Sequence, residues 1–417
     1  MMELNMNKKV LLLTTVCFIG AYADLAHADH RPSRYDSTVD PTNLFYGNNR
    51  IPSYKIIGSK NFYNFQSNLR KDKAVTKDID NTKKSGLRSY LLYEDGKIVI
   101  DESIEFPNII KKSGNRLPSH SMGKSLVSYV TGHAICEGYI DSVDVKLDDW
   151  PTIKDTLYEG QSLIDLLNMT AGDQNYIGVD THRTKLKING TMKNINMVPL
   201  YKVMKDATQL HTERSTPFFS ETPIYNYNAL VTNTIMNYVI YKTGDDWEPL
   251  LHKVFTQHVK VKDEVHFLKI KNKARYSTQS NLPKTGLGTK ELGRYSFYAT
   301  RYDYLRIAKT MMDDWNNDTC VGKYLKAMYD QRINKHLRDK PTSWATNNNA
   351  IHTWYTKSYG GQFHFDLLGL TNRKILTMTG AAGQNIHIDF DAKRIIVINA
   401  SDNHVNWRGH AYKHLKK

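Results

Sequence analysis

Strand-like segments gather at two places far apart in this 417-residue chain, and a long helical stretch lies between them. The first group is Ser89-Tyr-Leu-Leu-Tyr, a turn at Glu94-Asp95-Gly96-Lys97, and Ile98-Val-Ile, which reads as a hairpin. The second group is expected over 362–368, 374–379, 385–390 and 394–400. Between them a helix is expected after Pro118, where Leu126, Val127, Val130, Ala134 and Ile135 fall at helical spacing. Further helices are expected around 162–169, over about 228–242 with Gly244 as its stop, and over about 301–313. A polar last helix is expected from His404. Strands must find partners for their backbone groups, so a helical insert between two strand groups predicts one antiparallel sheet built from both chain ends. The expected fold class is therefore mixed α/β of the α+β kind, an antiparallel sheet flanked by helices with a helical subdomain at about 125–315.

Apolar residues make up 40% of the chain and charged residues 24%, which suits a globular protein with a sizeable core. The formal net charge is +15 and the pI near 9.3. The basic residues are scattered, and the closest pairs, Lys83-Lys84 and Lys111-Lys112, are not long runs, which argues against a nucleic-acid partner. The three cysteines, Cys17, Cys136 and Cys320, lack metal-ligand spacing; whether the last two pair is left open. At the start, Lys8 and Lys9 precede an apolar run from Val10 to Ala23 and a small-x-small site at Ala26-His27-Ala28. This is the pattern of a secretory signal peptide over 1–28, too short to span a bilayer comfortably, and predicts a periplasmic or secreted protein with no stable membrane span after cleavage. An uncleaved anchor is the alternative. Residues 29–86 read as a polar extension that packs on the main domain at 87–417, and the weakly periodic stretch 173–223 as long loops over the site.

Ser121-Met122-Gly123-Lys124 is a Ser-x-x-Lys pattern. A serine hydroxyl is a poor nucleophile until a base takes its proton, and three residues on a helix bring two side chains to one face. A lysine buried at that spacing is expected to become neutral and act as the base. Pro118 puts Ser121 at a helix start, where backbone amides favour developing negative charge. A plain helix N-cap is the competing reading of Ser121. Tyr225-Asn226-Tyr227-Asn228 precedes the helix at 228–242, and a tyrosine oxygen near that lysine can pass a proton. Thr379-Gly380-Ala381-Ala382-Gly383-Gln384 lies between two strands, where small residues let a substrate lie against a strand edge. Lys242-Thr243-Gly244 and Lys284-Thr285-Gly286 are decoys, the first a helix stop and the second a loop.

Taken in order from about 87 to 400, these residues resemble the serine β-lactamase-related family, which also holds penicillin-binding proteins, and within it the branch of 6-aminohexanoate-dimer hydrolases and esterases. Ser162-Leu-Ile-Asp-Leu-Leu-Asn-Met-Thr-Ala-Gly172 is similar to the family stretch T-x-x-x-L-L-x-M-T-S-G, Ala299-Thr-Arg-Tyr-Asp303 to a helix start of its helical subdomain, and Gly380 to Asp389 to G-x-x-G-Q-x-I-x-x-D. The likeness departs at Ala229, where the family keeps Asn, and at the late strand, where Thr379-Gly380-Ala381 replaces a Lys-Thr-Gly or His-x-Gly. The resemblance implies a serine hydrolase that cleaves a small ester, amide or peptide-like substrate through an acyl-enzyme. Ser121 is the implied nucleophile, Lys124 the base and Tyr227 the proton relay, with Tyr225 as the alternative to Tyr227. The amides of Ser121 and Ala381 form the implied oxyanion hole, and Gly380, Gly383, Gln384 and Tyr176 contact substrate. No metal or cofactor is implied. Tyr359, His387 and Trp354 are further lining candidates that read more readily as packing. The rivals are a catalytically weak binding or sensor protein of the same fold, a D-alanyl-D-alanine carboxypeptidase or β-lactamase, and a binder of anionic polymers.

Overall fold

The computed structural model describes residues 53–151, 153–154, 158–171, 225–269, 293–335, 355–401 and 405–416, with the backbone of short strands at 45–46, 49–50, 177–178, 184–188 and 191–195. Tyr176, Trp354, the 1–28 signal region, the Lys284 decoy and 173–223 apart from those short strands lie outside the described residues.

Strands β1 (Ser53–Ile56) and β2 (Gln66–Ser67) lead into helix α1 (Lys73–Asp80) and then the hairpin of β3 (Leu87–Glu94) and β4 (Lys97–Ser103). Asp95 and Gly96 take φ of 50° and 78°, the left-handed pair that lets a two-residue turn follow the strand twist. Next come the short β5 (Leu117–Pro118), helices α2 (Met122–Cys136), α3 (Leu163–Leu167), α4 (Ala229–Thr243) and α5 (Trp247–His252), and strands β6 (Val265–Lys269) and β7 (Gly293–Ala299). Helices α6 (Arg301–Asn316) and α7 (Cys320–Asp330) follow, then β8 (Ile333–Asn334), β9 (Thr356–Gly360), β10 (Phe363–Leu367), β11 (Ile375–Gly380), β12 (Gln384–Asp389), β13 (Arg394–Ala400) and α8 (Trp407–Leu415).

The expected joining of chain ends is the centre of the main sheet. Its order is β8-β9-β10-β11-β12-β13-β3-β4-β2, antiparallel except for the parallel edge pair β2–β4. Val397 pairs with Leu91 and Ile396 with Leu92. Successive residues face opposite sides, and both sides are covered. Leu91, Ile395 and Val397 join the core beneath the central helices, while Leu92, Ile396 and Ile398 pack with Val75 and Ile79 of α1 and Ala411 and Leu415 of α8. That two-sided burial explains why β13 reads as a continuous apolar run, Ile-Ile-Val-Ile, rather than an alternating one, while β12 is buried throughout although its residues alternate between polar and apolar.

A second sheet, β1-β6-β7-β5, lies outside the expectation. The segment before residue 87 gives an edge strand to each sheet, β1 to the small one and β2 to the large one.

Helix α2 is buried from Met122 to Ala134, which its mixture of Ser, Thr and apolar residues obscures in the sequence. Its hydroxyls are satisfied inside: Ser125 donates to the Gln362 carbonyl at 2.7 Å, Ser128 meets the Tyr324 hydroxyl at 2.7 Å, and Thr131 donates to the Val127 carbonyl at 2.9 Å. The far end of α2 is fastened to α7 by a Cys136–Cys320 disulfide, which settles the pairing left open by the sequence.

Candidate active site

The site begins where β5 turns into α2. The Ser119 amide donates to the Phe297 carbonyl at 2.7 Å, and its hydroxyl accepts from the Phe297 amide at 3.0 Å, so this turn is pinned to β7. His120 then takes a left-handed φ of 47°, a conformation that costs a non-glycine residue about 1–3 kcal/mol and clusters at functional sites. Ser121 opens the helix, but its side chain makes no capping hydrogen bond. The N-cap alternative for Ser121 therefore lacks its defining contact. Instead Lys124 Nζ donates to Ser121 Oγ at 3.3 Å. Ser121 keeps 7% of its surface exposed and Lys124 none.

Two aromatic rings enclose the amine. Lys124 Nζ lies 3.8 Å from the centroid of the Tyr295 ring and 4.8 Å from that of Tyr227. Burial pulls the Lys124 pKa down, as expected from its position, but the oxygens of Tyr227 and Tyr295 outweigh it and the net shift is upward. The neutral resting amine expected from burial alone is thus corrected: Lys124 holds its proton more tightly than an ordinary lysine, because two phenols face it in a water-poor site.

Tyr227 rather than Tyr225 approaches Lys124. The segment is fixed before α4 by the Asn226 amide donating to the Met169 carbonyl at 2.8 Å, and by Asn228, whose side chain caps α4 at the Val231 amide at 2.9 Å. Tyr225 packs against Tyr359, with centroids 5.0 Å apart, and Tyr359 is fully buried behind Tyr227. His387 is likewise fully buried and stacks on Trp407, so neither Tyr359 nor His387 is presented to solvent.

The third wall is the end of β11. A Cβ added at Gly380 would lie 2.4 Å from the Ser119 carbonyl oxygen and 3.2 Å from the His120 Cβ, so the strand end abuts the turn that carries Ser121. Only glycine allows that approach. Ala382 and Gly383 follow at φ of 59° and 79°, and Gln384 turns inward, donating to the Ala400 carbonyl at 2.6 Å and the Ala382 carbonyl at 3.1 Å. Gln384 is 2% exposed and shapes this turn from within rather than facing substrate, which corrects its expected contact role. Ser121, Lys124, Tyr227 and Gly380 are thus brought together, with Ala381 next along the turn.

The other matched stretches serve the scaffold. Ser162 and Asp165 form a reciprocal capping box on α3. Asp303 accepts from Thr300, from the Lys262 amide at 2.7 Å and from Arg306 at 2.8 Å, tying α6 to the chain before β6. Gln362, which no sequence signal marks, links three elements: it accepts from Thr232 of α4 and donates to the carbonyls of Leu166 and Leu167 in α3.

Three polar residues near the site escape the sequence reading. Tyr295 sits in a strand whose partners are distant in sequence, so its ring carries no signal of lying over Lys124. Lys335 Nζ stands 2.7 Å from His364 Nδ1, and His364 Nε2 stands 3.3 Å from Thr379 Oγ1. Burial pushes the Lys335 pKa well below its ordinary value. The late strand lacks its own Lys or His, but β10 supplies a histidine beside it from one strand away.

No protein-family model and no curated protein sequence matches the chain. Solved structures do. A protein assigned as a 6-aminohexanoate-dimer hydrolase from Bacillus anthracis aligns at 13% identity with a TM-score of 0.52, over 88% of this chain and 90% of that one. A protein assigned as a β-lactamase from Bacteroides dorei aligns at 16% identity and a TM-score of 0.50, over 78% and 90%. A class C β-lactamase from Rhodobacter sphaeroides aligns at 12% identity and 0.50, over 83% and 100%. At these identities the likeness is one of fold.

Proposed function

We propose that this chain, which has the fold of the serine β-lactamases and penicillin-binding proteins, is a serine hydrolase that cleaves a small ester or amide through an acyl-enzyme on Ser121. The observation that carries the reading is the 3.3 Å contact from Lys124 to Ser121 at the mouth of α2, inside two phenol rings. In the reactive form Lys124 is the free amine. Ser121 Oγ attacks the carbonyl carbon, and its proton passes to Lys124, whose ammonium form the Tyr227 and Tyr295 oxygens favour. The carbonyl oxygen becomes an oxyanion held by the Ser121 and Ala381 amides. The proton then moves, with Tyr227 as relay, to the leaving alcohol or amine as the bond to it breaks. Water, deprotonated by the same pair, frees the acid and restores Ser121.

The slight exposure of Ser121 favours short acyl groups. The lack of a lysine or histidine on the late strand itself favours an ester or simple amide over a lactam. The Cys136–Cys320 disulfide supports an exported protein, since such bonds persist in oxidising compartments. Among the described residues no helix is long and apolar enough to cross a membrane.

A fluorophosphonate probe tests the nucleophile. The wild-type chain is expected to label and Ser121→Ala not to label; equal labelling of the variant overturns the assignment. A panel of short-chain nitrophenyl esters separates a hydrolase from a binding protein of the same fold, which turns none of them over.

A further inference from the structure

We propose that His133, His258 and Asp314 form a binding site for a divalent transition-metal ion of the zinc type, which clamps three helical segments at the end of α2 remote from Ser121. One ligand atom from each of the three lies within 4.8 Å of the others. Around a tetrahedral zinc, ligand atoms stand about 3.3 Å apart. The set therefore needs to contract by up to about 1.5 Å, within the reach of side-chain rotation.

The three come from separate parts of the chain. His133 is one turn before Cys136 on α2, His258 ends a π-helical stretch at Lys253–His258, and Asp314 lies in the last turn of α6. His133 is 7% exposed, and its Nε2 is buried with no hydrogen-bond partner. A buried imidazole nitrogen left in this way carries a desolvation cost that a metal ion would remove. Burial holds His133 neutral, with its pKa pushed down to about 3, so its lone pair is available.

Asp314 is already oriented. Tyr129 donates to Oδ2 at 2.7 Å and Thr319 to Oδ1 at 2.9 Å, the kind of outer support that fixes a ligating carboxylate. His258 Nε2 lies 3.0 Å from both carboxylate oxygens. On binding, the ion takes the place of the hydrogen between Nε2 and the carboxylate, and the His258 ring ligates in the neutral form with its one hydrogen on Nδ1. The His258 side chain is 38% exposed, which gives the ion an entry path and leaves its fourth position to water. Asp314 itself is 2% exposed, so the charge that attracts the ion sits at the base of the site. Two histidines and one carboxylate with an open position suit zinc, and cobalt(II) as its spectroscopic substitute.

The test uses the full chain stripped with a chelator, then equilibrated with zinc and dialysed. One retained zinc per chain is expected, with a rise in melting temperature, and cobalt(II) is expected to give the intense visible bands of a four-coordinate site. His258→Gln, at a half-exposed position, keeps the fold and is expected to weaken zinc at least about tenfold and to lose the cobalt bands. His133→Phe, read by circular dichroism for folding, should do the same. Failure to retain zinc overturns the proposal, as does equal retention by folded His258→Gln and His133→Phe, which places the ion on surface histidines. None of these readouts depends on Ser121 chemistry.

Discussion

A Cβ atom at Gly123 would lie 1.9 Å from the carbonyl oxygen of Tyr295. Helix α2 and strand β7 therefore touch backbone to backbone at the middle of the Ser-x-x-Lys turn. That contact holds the Tyr295 ring over Lys124 and the lysine against Ser121. Gly123→Ala forces the two backbones apart by more than an ångström. Ester hydrolysis should fall by at least about tenfold, because misplacement of reacting groups by about 1 Å is that costly. Melting temperature should also drop, by several degrees for an overpacked core position. A variant with wild-type rate and melting temperature would show that this contact positions nothing.

Tyr295→Phe tests the electrostatics directly. The Tyr227 and Tyr295 oxygens push the Lys124 pKa up against the opposing pull of burial. Lys124 is thus protonated at neutral pH, and the free amine proposed to accept the Ser121 proton grows as pH rises. The kcat/KM profile for a short nitrophenyl ester should climb through the alkaline range. Removing the Tyr295 oxygen deletes one upward push, so the climb should begin at lower pH. An unmoved profile would mean that Lys124 does not set it. Lys124→Met should lower kcat by about 100-fold or more at every pH.

Much of this arrangement is legible in the chain itself, for physical reasons that also mark the limits. The Ser121–Lys124 spacing is local, and helix geometry alone puts both on one face. The strands that end the chain are short β-prone segments that must pair, and the hairpin at 89–100 offers them an open edge, so the main sheet follows from backbone satisfaction. What escapes is set by long-range contact. Strands β6 and β7 pair with β1 and β5, which lie far back along the chain, so nothing local in the sequence marks the second sheet. Tyr295 and His364 matter through the rings and hydroxyls they face across strands, which single-sequence patterns do not record. Gln384 shows the reverse error: its place in a matched motif suggests substrate contact, yet its amide is spent on the Ala400 and Ala382 carbonyls.

The Cys136–Cys320 disulfide should separate stability from catalysis. It closes a span of 184 residues and joins α2 to α7 at the end opposite Ser121. Replacing both cysteines with serine frees the unfolded chain and should cost about 2–5 kcal/mol, seen as a lower urea midpoint. The rate of ester hydrolysis at room temperature should stay near wild type, since the mouth of α2 is held by β5, β7 and α4. Loss of rate in a variant that remains folded would show that the disulfide also tensions the active site.

His387 makes the fold sensitive to mild acid. Its ring is fully buried between Thr377, whose hydroxyl is 3.0 Å from Nδ1, and Trp407, 5.3 Å away between centroids. Nε2 is buried without a partner, and burial pushes the pKa down to about 3. In the unfolded chain an imidazole titrates near about 6.5. Between those two values the unfolded state binds a proton that the folded state refuses, so stability is complete above the upper value and is lost as pH falls toward the lower. The slope for one such group is about 1.4 kcal/mol per pH unit. His266, also buried and pushed down to about 3, adds a second. Urea midpoints measured from pH 6.5 down to 4.5 should fall steadily in the wild-type chain. His387→Gln lowers stability near neutral pH, because it buries an amide in place of a neutral ring, yet its midpoint should fall less steeply with acid, by about one proton's worth. Parallel slopes for the two chains would mean that His387 is hydrated or already charged in the folded state, and that its burial does not govern the acid response.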